Sequence, residues 1–420
     1  MSTNRPTSCL DPFEADAISV ADARQTIYDQ ITPITGSIKV ALRDALNQYL
    51  AEDLVSLTDV PPHINAAMDG YALAGDDLPT ENTKNYEVKG ASFAGIPSEE
   101  NYQQGNVIRI MTGGVMPNGT DSVVPQELVD VLDDGTITID DKQRTGQNVR
   151  HPGEDIPKGA IVLSKGHRIR AADLGIIASL GKSEVKILRR PRVAFFSTGD
   201  ELKSIGETLN EGDIYDSNRY TLFALLKNLD VEIIDLGVIR DTKEGIENAF
   251  VEAAKLADIV ITSGGVSVGE ADFIKPTLKK LGDTHFWKIA MKPGRPLTFG
   301  SYHDSWFFGL PGNPVAVMVT FMQFVQPAIN YLASSSIKAP LMIKASSQQA
   351  IKKRPGRTEY IRAIVEQADD GELEVKLTGK QGSGILMSMS LANCFIHLPS
   401  ESGGVEAGEM VEIAPFNNII

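Results

Sequence analysis

Cysteine is scarce: Cys9 and Cys394 are the only two in 420 residues. They stand far apart without CxxC spacing, which argues against a disulfide framework or a structural zinc site and fits a reducing, cytoplasmic setting. Histidine is sparse as well. His63, His151, His167, His285, His303 and His397 form no HExxH and no close pair, so they read as surface or core residues rather than metal ligands. No GxSxG elbow or Ser-His-Asp set is visible, which argues against a hydrolase with a nucleophilic side chain. Basic residues are outnumbered, 40 Lys and Arg against 55 Asp and Glu, for a net charge of -15. Such a surface repels the nucleic-acid backbone and anionic membranes, discounting both as partners; an anionic ligand needs a local cationic pocket. Long apolar runs are few. The start, MSTNRPTSCLDPFEADA, has no apolar core of signal-peptide type. The most apolar stretch, Pro314 to Leu332, is interrupted by Gln323, Gln326 and Pro327 and reads as a buried or interface helix.

What is present is an ordinary globular composition, 42% apolar and 23% charged. The length predicts roughly two to four domains. Residues 14 to 30 carry apolar positions at helical spacing. Thr58 to Gly70, with Pro61-Pro62 and MDG, reads as turns, and AAMDGYAL as a loop with Asp69 its turn-former. From Tyr86 to Ile139, short β-type runs separated by Gly, Asn, Asp and Pro predict a compact all-β domain. From Arg192 to Leu332, apolar runs (RVAFFST, VEIIDLGVI, DIVITSGG, WKIAM, WFFGL) alternate with helical segments. That alternation predicts a parallel α/β domain covered on both faces, with Ser217 as one helix N-cap and Asn313-Pro314 opening the last helix. Ser336 to Pro340 reads as a linker before a small closing β-domain.

Open parallel sheets bind ligands outside the carboxyl ends of their strands. Four polar segments should reach that edge: STGDEL (197–202), IRD (239–241), SGGVSVGEAD (263–272) and GLPGNP (309–314). The third lacks both the GxxxxGK[ST] lysine and GxGxxG spacing, against ATPase and dinucleotide readings. Its glycines would let backbone N–H groups approach an anion, while Asp272 reads as either a helix cap or a cation ligand. Asp200, Glu201, Asp241 and Asp272 should converge; beside a phosphate cradle they call for Mg²⁺, the alternative being solvated acidic loops. Lys288 and Lys292, with Arg295, either share one face of an extended chain toward an oxyanion or serve solubility. RHPGEDI, with Arg150, Glu154 and Asp155, is uninterpretable from its chemistry alone.

Taken together, PPHINAAMDGYAL, IRIMTGGVMPNGTDSVV, GQNVRHPGEDI, FSTGDEL, IYDSNRY, SGGVSVGEADF, FWKIAMKPGRP and GLPGNPV closely resemble the MoeA family, which includes the gephyrin E-domain. The strings follow in consistent order from about residue 14 to 418. The resemblance implies a multidomain α/β protein. Its central parallel MogA/MoaB-like α/β domain is expected at 191–335 and a β-rich domain at 56–154. A discontinuous helical and extended linking domain at 14–55 plus 155–190 and a small C-terminal β-barrel domain at 336–420 complete it. It implies insertion of molybdenum from molybdate into adenylyl-molybdopterin with release of AMP, a divalent cation (usually Mg²⁺) and an elongated homodimer. A separate MogA-like adenylyltransferase and molybdoenzyme chaperones are further implied partners. The dithiolene of that substrate carries the metal's ligands, so no protein cysteine or histidine is required.

By position, the family's functional residues fall on Asp69, Thr112, Asp155, Glu201, Asp241 and Asp272, with Glu201, Asp241 and Asp272 as metal ligands. Substrate or anion contacts fall on Arg150, Ser263, Gly264, Gly265, Ser267, Lys288, Lys292, Arg295, Pro311, Pro314, Arg357 and Ser383. Asp69 and Asp155 are expected to reach the α/β site of the other chain, and helix 314 to 332 is an interface candidate. Ala66 and Ala316 stand where many members carry Ser, which puts a hydroxyl contact to molybdate in doubt. Competing readings are adenylyl transfer to molybdopterin and a non-catalytic scaffold.

Overall fold

The computed structural model describes residues 17–264, 273–337 and 339–416. They divide into two compact units, one holding Lys39–Leu46 and Leu50–Ile187, the other the remaining described residues. Helix α1 (Val20–Gln30) starts where Ser19 Oγ accepts the Asp22 N–H at 3.0 Å. It sits in the second unit, where Val20, Ala23 and Ile27 join the main core.

The first unit is built on a six-stranded sheet of β1 (Gly70–Leu73), β2 (Thr83–Ser92), β3 (Asn106–Ile110), β4 (Ser122–Pro125), β5 (Val129–Val131) and β6 (Ile137–Asp140). Its order is β4-β1-β3-β2-β6-β5. The turn-like AAMDGYAL is therefore half strand: β1 lies between β3 and β4 and is buried throughout. Periodicity fails there because a strand buried on both faces has no polar alternation. A separate apolar cluster, including Leu50, Leu54, Leu163, Ile169 and Ile187, gathers around α2 (Ala171–Ser179).

Asp77 is one of two buried carboxylates of this unit among the described residues, 4% exposed, the other being Asp173. Its carboxylate accepts the Tyr102 hydroxyl at 2.6 Å, the Gly105 N–H at 2.7 Å and the Lys84 ammonium. Burial opposes ionisation, but the bonds from Lys84, Tyr102 and Gly105 outweigh it and hold the carboxyl below the usual range. Asp77→Asn is expected to cost this unit about 3 kcal/mol in denaturant unfolding at pH 7, since removing one partner leaves the other donors poorly matched. A carboxyl whose folded pKa is depressed stabilises above its unfolded value of about 3.9, and that share is lost as pH falls through the folded value. The difference between wild type and variant should shrink accordingly in unfolding curves taken below pH 4.

In the second unit, β7 (Arg192–Thr198), α3 (Ser217–Lys227), β8 (Glu232–Ile239), α4 (Lys243–Leu256), β9 (Ile259–Ser263) and α5 (Ile274–Leu281) form the crossover part. Strands β10 (Asp283–Lys288), β11 (Pro296–Tyr302) and β12 (Ser305–Leu310) complete a sheet of order β8-β7-β9-β12-β11-β10. The first four are parallel, but β11 runs antiparallel to both neighbours. The reason is the short His303-Asp304 connection, which can only make a hairpin. One face packs against α1, α3, α6 (Pro314–Thr320) and α7 (Gln326–Ser334), the other against α4 and α5. Helix α3 begins one residue earlier than its Ser suggests: Asp216, not Ser217, is the N-cap, accepting the Arg219 N–H at 3.1 Å.

The stretch Pro314–Ser334 is the one helix among the described residues long and apolar enough to cross a membrane, yet most of it is buried within the chain itself. Its apolar side chains fill the unit's own core, the buried side of the buried-or-interface expectation. A π-turn at Phe321–Val325 separates α6 from α7. Pro327 has no N–H for the Gln323 carbonyl, and Arg24 Nε donates to that carbonyl at 3.1 Å instead.

Strands β13 (Ile343–Ser347), β14 (Thr358–Gln367), β15 (Leu373–Leu377), β16 (Cys394–Leu398) and β17 (Met410–Pro415) close a five-stranded barrel, because β16 pairs back with β14. Its core includes Ala345, Ile361, Val375, Cys394 and Ile413. The short strand Met291–Lys292 runs parallel to the start of β14 and ties the barrel to the sheet domain.

Candidate functional site

The carboxyl ends of β7, β8, β9 and β12 share one edge, because these strands are parallel and in register. After Thr198 the chain turns through Gly199, where an added Cβ would fall 2.7 Å from the Glu201 carboxylate. After β8, the Asp241 N–H donates to Asp200 Oδ1 at 3.3 Å. Glycine is required where β9 ends: Gly264 has φ +93°, and a Cβ there would lie 2.5 Å from the Thr198 carbonyl oxygen. Its N–H donates to the Leu310 carbonyl at 3.2 Å, closing β12 onto the same edge.

Asp241 is half-buried, and its Oδ1 has no hydrogen-bond partner among the described residues. Burial raises its pKa, and the neighbouring charges of Asp200 and Glu201 raise it further. The Thr198 hydroxyl offsets part of this without reaching full hydrogen-bond geometry. Buried polar atoms without partners among the described residues gather at the same edge: Ser197 Oγ, Thr262 Oγ1, Asp216 Oδ2 and Asn218 Oδ1. Native interiors leave few such groups, so their concentration here points to a polar ligand. Asn218 also donates from Nδ2 to the Gly312 carbonyl at 2.7 Å, fixing the GLPGNP loop and the orientation of its own amide.

The predicted residues of this unit divide into several groups. Glu201, Asp241, Ser263, Gly264, Pro311 and Pro314 lie on or beside the strand-end edge. Gly265, Ser267 and Asp272 lie outside the described residues. Among the described residues no three His, Cys, Asp or Glu side chains form a metal-holding group. Lys288 and Lys292 do not share one extended face: β10 ends at Lys288, Ile289 pairs with Ile18, and Lys292 sits on a separate strand. Lys292 Nζ lies 3.3 Å from the Glu359 carboxylate. Arg295 is half-buried, with its carbonyl accepting the Ile289 N–H at 2.9 Å.

The barrel contributes two loops. Arg357 follows Gly356 in a turn held by Lys353, a 7% exposed lysine whose ammonium donates to the Ser400 and Ser402 carbonyls at 3.2 and 3.0 Å. Ser383 meets the start of α6: its carbonyl accepts the Val315 N–H at 3.0 Å. Ala316 is buried in that helix, where its carbonyl accepts the Thr320 hydroxyl at 2.7 Å.

In the first unit, Asp69 and Thr112 come together although they are distant in sequence. The Thr112 N–H and hydroxyl both donate to Asp69 Oδ1 at 2.7 Å. These bonds, backbone first, hold the Asp69 carboxyl below the usual range. Arg150 and Asp155 line a cleft of about 480 Å³ with Val60, Pro61 and Glu154. Ala66 is fully buried beside it, paired with Val149.

Sequence reasoning reached Ser197 and Thr198 only as part of STGDEL and missed Asp216, Asn218 and Glu359. For Asp216 and Asn218 a signal existed: the helix after the first strand of a parallel sheet begins at the ligand-binding edge, so its cap residues face the site.

Comparison with known proteins gives one result along the whole chain. The MoeA N-terminal region (domain I and II) matches residues 18–181, a probable molybdopterin binding domain residues 194–331, and the MoeA C-terminal region (domain IV) residues 344–416. A molybdopterin molybdenumtransferase of Haemophilus influenzae is 44% identical, the match covering 96% of this chain and 100% of that protein. Gephyrin of Dictyostelium discoideum is 33% identical over 95% of this chain and 62% of its own length. The crystal structure of the molybdopterin biosynthesis moeA protein from Pyrococcus horikoshii OT3 superposes with a TM-score of 0.83 at 30% identity, covering 96% of this chain and 100% of that one. The chain belongs to the MoeA family of molybdopterin molybdenumtransferases.

Proposed function

We propose that the protein inserts molybdenum from molybdate into adenylyl-molybdopterin and releases AMP, as the name of its Haemophilus relative suggests. The observation that carries this reading is the strand-end edge: three carboxylates, one with a raised pKa, stand beside buried hydroxyls without partners among the described residues. Like charges near one another raise the cost of ionising Asp241, a cost that a cation relieves, and a pyrophosphate-bearing substrate brings one. Glu201 and Asp241, with Asp272, would hold Mg²⁺, which when bound would neutralise phosphate charge at the scissile linkage. Asn218 and the Gly264 backbone orient the substrate, while Lys292, Arg357 and Ser383 draw the oxyanion to the barrel side. In this reading the protein is a cytoplasmic homodimer, in which Asp69 and Asp155 serve the partner's α/β site. A separate MogA-like adenylyltransferase supplies the substrate, and molybdoenzyme chaperones receive the product.

The test is AMP release by purified protein given adenylyl-molybdopterin and Mg²⁺, with and without molybdate. Molybdate-dependent release abolished by EDTA is the expected result. Formation of the adenylate from molybdopterin and MgATP without a partner would instead assign adenylyl transfer.

A further inference from the structure

We propose that Arg362 is a positioning residue for the anion pocket: its buried guanidinium fixes the Gln381–Gly384 turn against the start of α6 and backs that turn with positive charge. The proposal rests on the reading above, in which Ser383 borders the pocket. Arg362 lies on β14 and is 1% exposed, the largest fully buried side chain of the described residues. Its Nε donates to Ser388 Oγ at 3.1 Å and its Nη2 to the Gly382 carbonyl at 3.0 Å. The main chain of the same residue clasps the other arm of the turn. Its N–H donates to Gln381 Oε1 at 3.0 Å, and its carbonyl accepts Gln381 Nε2 at 3.0 Å and the Thr378 hydroxyl at 3.2 Å. One residue thus grips the segment that presents Ser383 at Gln381 and Gly382, and its flanks at Thr378 and Ser388.

A buried arginine kept for structure alone normally faces a carboxylate. Among the described residues none is hydrogen-bonded to Arg362, and burial pushes its pKa down to about 10. At neutral pH the cation persists and is not cancelled locally. The turn it carries is the part of the barrel that touches the sheet domain's ligand edge. The Ser383 carbonyl takes the Val315 N–H, and a side chain at Gly384 would begin 4.0 Å from the Asn313 amide oxygen. An uncancelled cation beneath an edge of neutral donors is the arrangement that favours a dianion over water without binding it directly.

The experiment uses the full-length protein and three variants, Arg362→Met, Arg362→Gln and Arg362→Lys. Melting curves should show Arg362→Met folded, since an apolar side chain of similar length can replace a buried cation. In AMP-release assays its KM for molybdate should rise about tenfold, the size of effect seen for residues that orient a binding group. Its KM for adenylyl-molybdopterin should stay as in wild type, and Arg362→Lys should recover part of the loss. Hydrogen exchange of the Val315 amide should be about tenfold faster in Arg362→Met, a readout that needs no activity. An unchanged molybdate KM in a folded variant overturns the proposal, as does unchanged Val315 protection. If Arg362→Met does not fold, Arg362→Gln is held to the same two outcomes. Wild type without molybdate-dependent AMP release overturns the assigned function instead, and Val315 exchange then decides the positioning role alone.

Discussion

Asp241→Asn should raise the melting temperature of the metal-free protein and lower molybdate-dependent AMP release by at least about 10²-fold, the scale of losing one electrostatic group at a reacting centre. Both effects have one origin. The Asp241 carboxyl is half-buried and faces Asp200 and Glu201, so its ionised form is disfavoured in the folded chain. A carboxyl whose folded pKa exceeds its unfolded value of about 3.9 binds more protons folded than unfolded between those two values. Stability therefore declines as pH rises through that window, and the deficit is complete above the folded pKa. Asparagine lacks the charge and escapes the deficit, so the gain in melting temperature should vanish below pH 4. Adding Mg²⁺ reverses the order. A cation at 100 times its dissociation constant stabilises by about 2.7 kcal/mol, and only the wild type should collect most of that. Thermal shift with EDTA and then with Mg²⁺ reads both halves; equal Mg²⁺ shifts in the two proteins would sink the assignment of Asp241 to the cation.

The carboxyl-edge site was legible because its parts belong to strands that announce themselves. RVAFFST and DIVITSGG are continuous apolar runs ending in Ser, Thr and Gly, and the chain does turn at Gly199 and Gly264. Parallel topology alone then sends Glu201, Asp241 and Gly264 to one edge. What stayed hidden was three-dimensional. The even spacing of Lys288 and Lys292 implies one face only if the strand continues, and it breaks at Ile289 and Ala290. The composition of helix Pro314–Ser334 suits a buried or an interface helix alike, and only the packing of the strands and α1 against it shows how much of it lies in the chain's own core. The Asp69–Thr112 bond joins residues 43 apart and had no local trace. Arg362 carries no motif at all; only burial without a counter-charge distinguishes it from a surface arginine.

Gly70→Ala is expected to be the most damaging single methyl added to the first unit. The MDG signature suggests a turn, yet the residue opens β1 and pairs with both Ile110 and Pro125. Its need for glycine is one of space, not of φ. An added Cβ would overlap the Val124 carbonyl oxygen and lie 2.8 Å from the Val124 carbonyl carbon and 3.0 Å from Pro125 Cα. All three are backbone atoms, so no change of rotamer relieves the overlap and the strands must part. Overpacking that side chains can absorb costs about 1–3 kcal/mol, and a backbone clash within a buried sheet should reach the top of that range or exceed it. The damage should extend to Asp69, whose carbonyl accepts the Gln126 N–H at 3.1 Å beside the same junction. Once β1 shifts, the Thr112 donors no longer hold the Asp69 carboxyl down, and its titration should move up toward that of a free aspartate. Gly175→Ala is the matched control. It lies in α2 with nothing within 4 Å of the new methyl, so it should stabilise by about 0.5–1 kcal/mol through helix propensity. Urea unfolding followed by a probe in the first unit separates the two, because they share the unit and the chemistry of substitution and differ only in what the methyl meets. An unchanged transition in Gly70→Ala would mean that the β1–β4 contact yields without cost, and Asp69 would then owe its position to Thr112 alone.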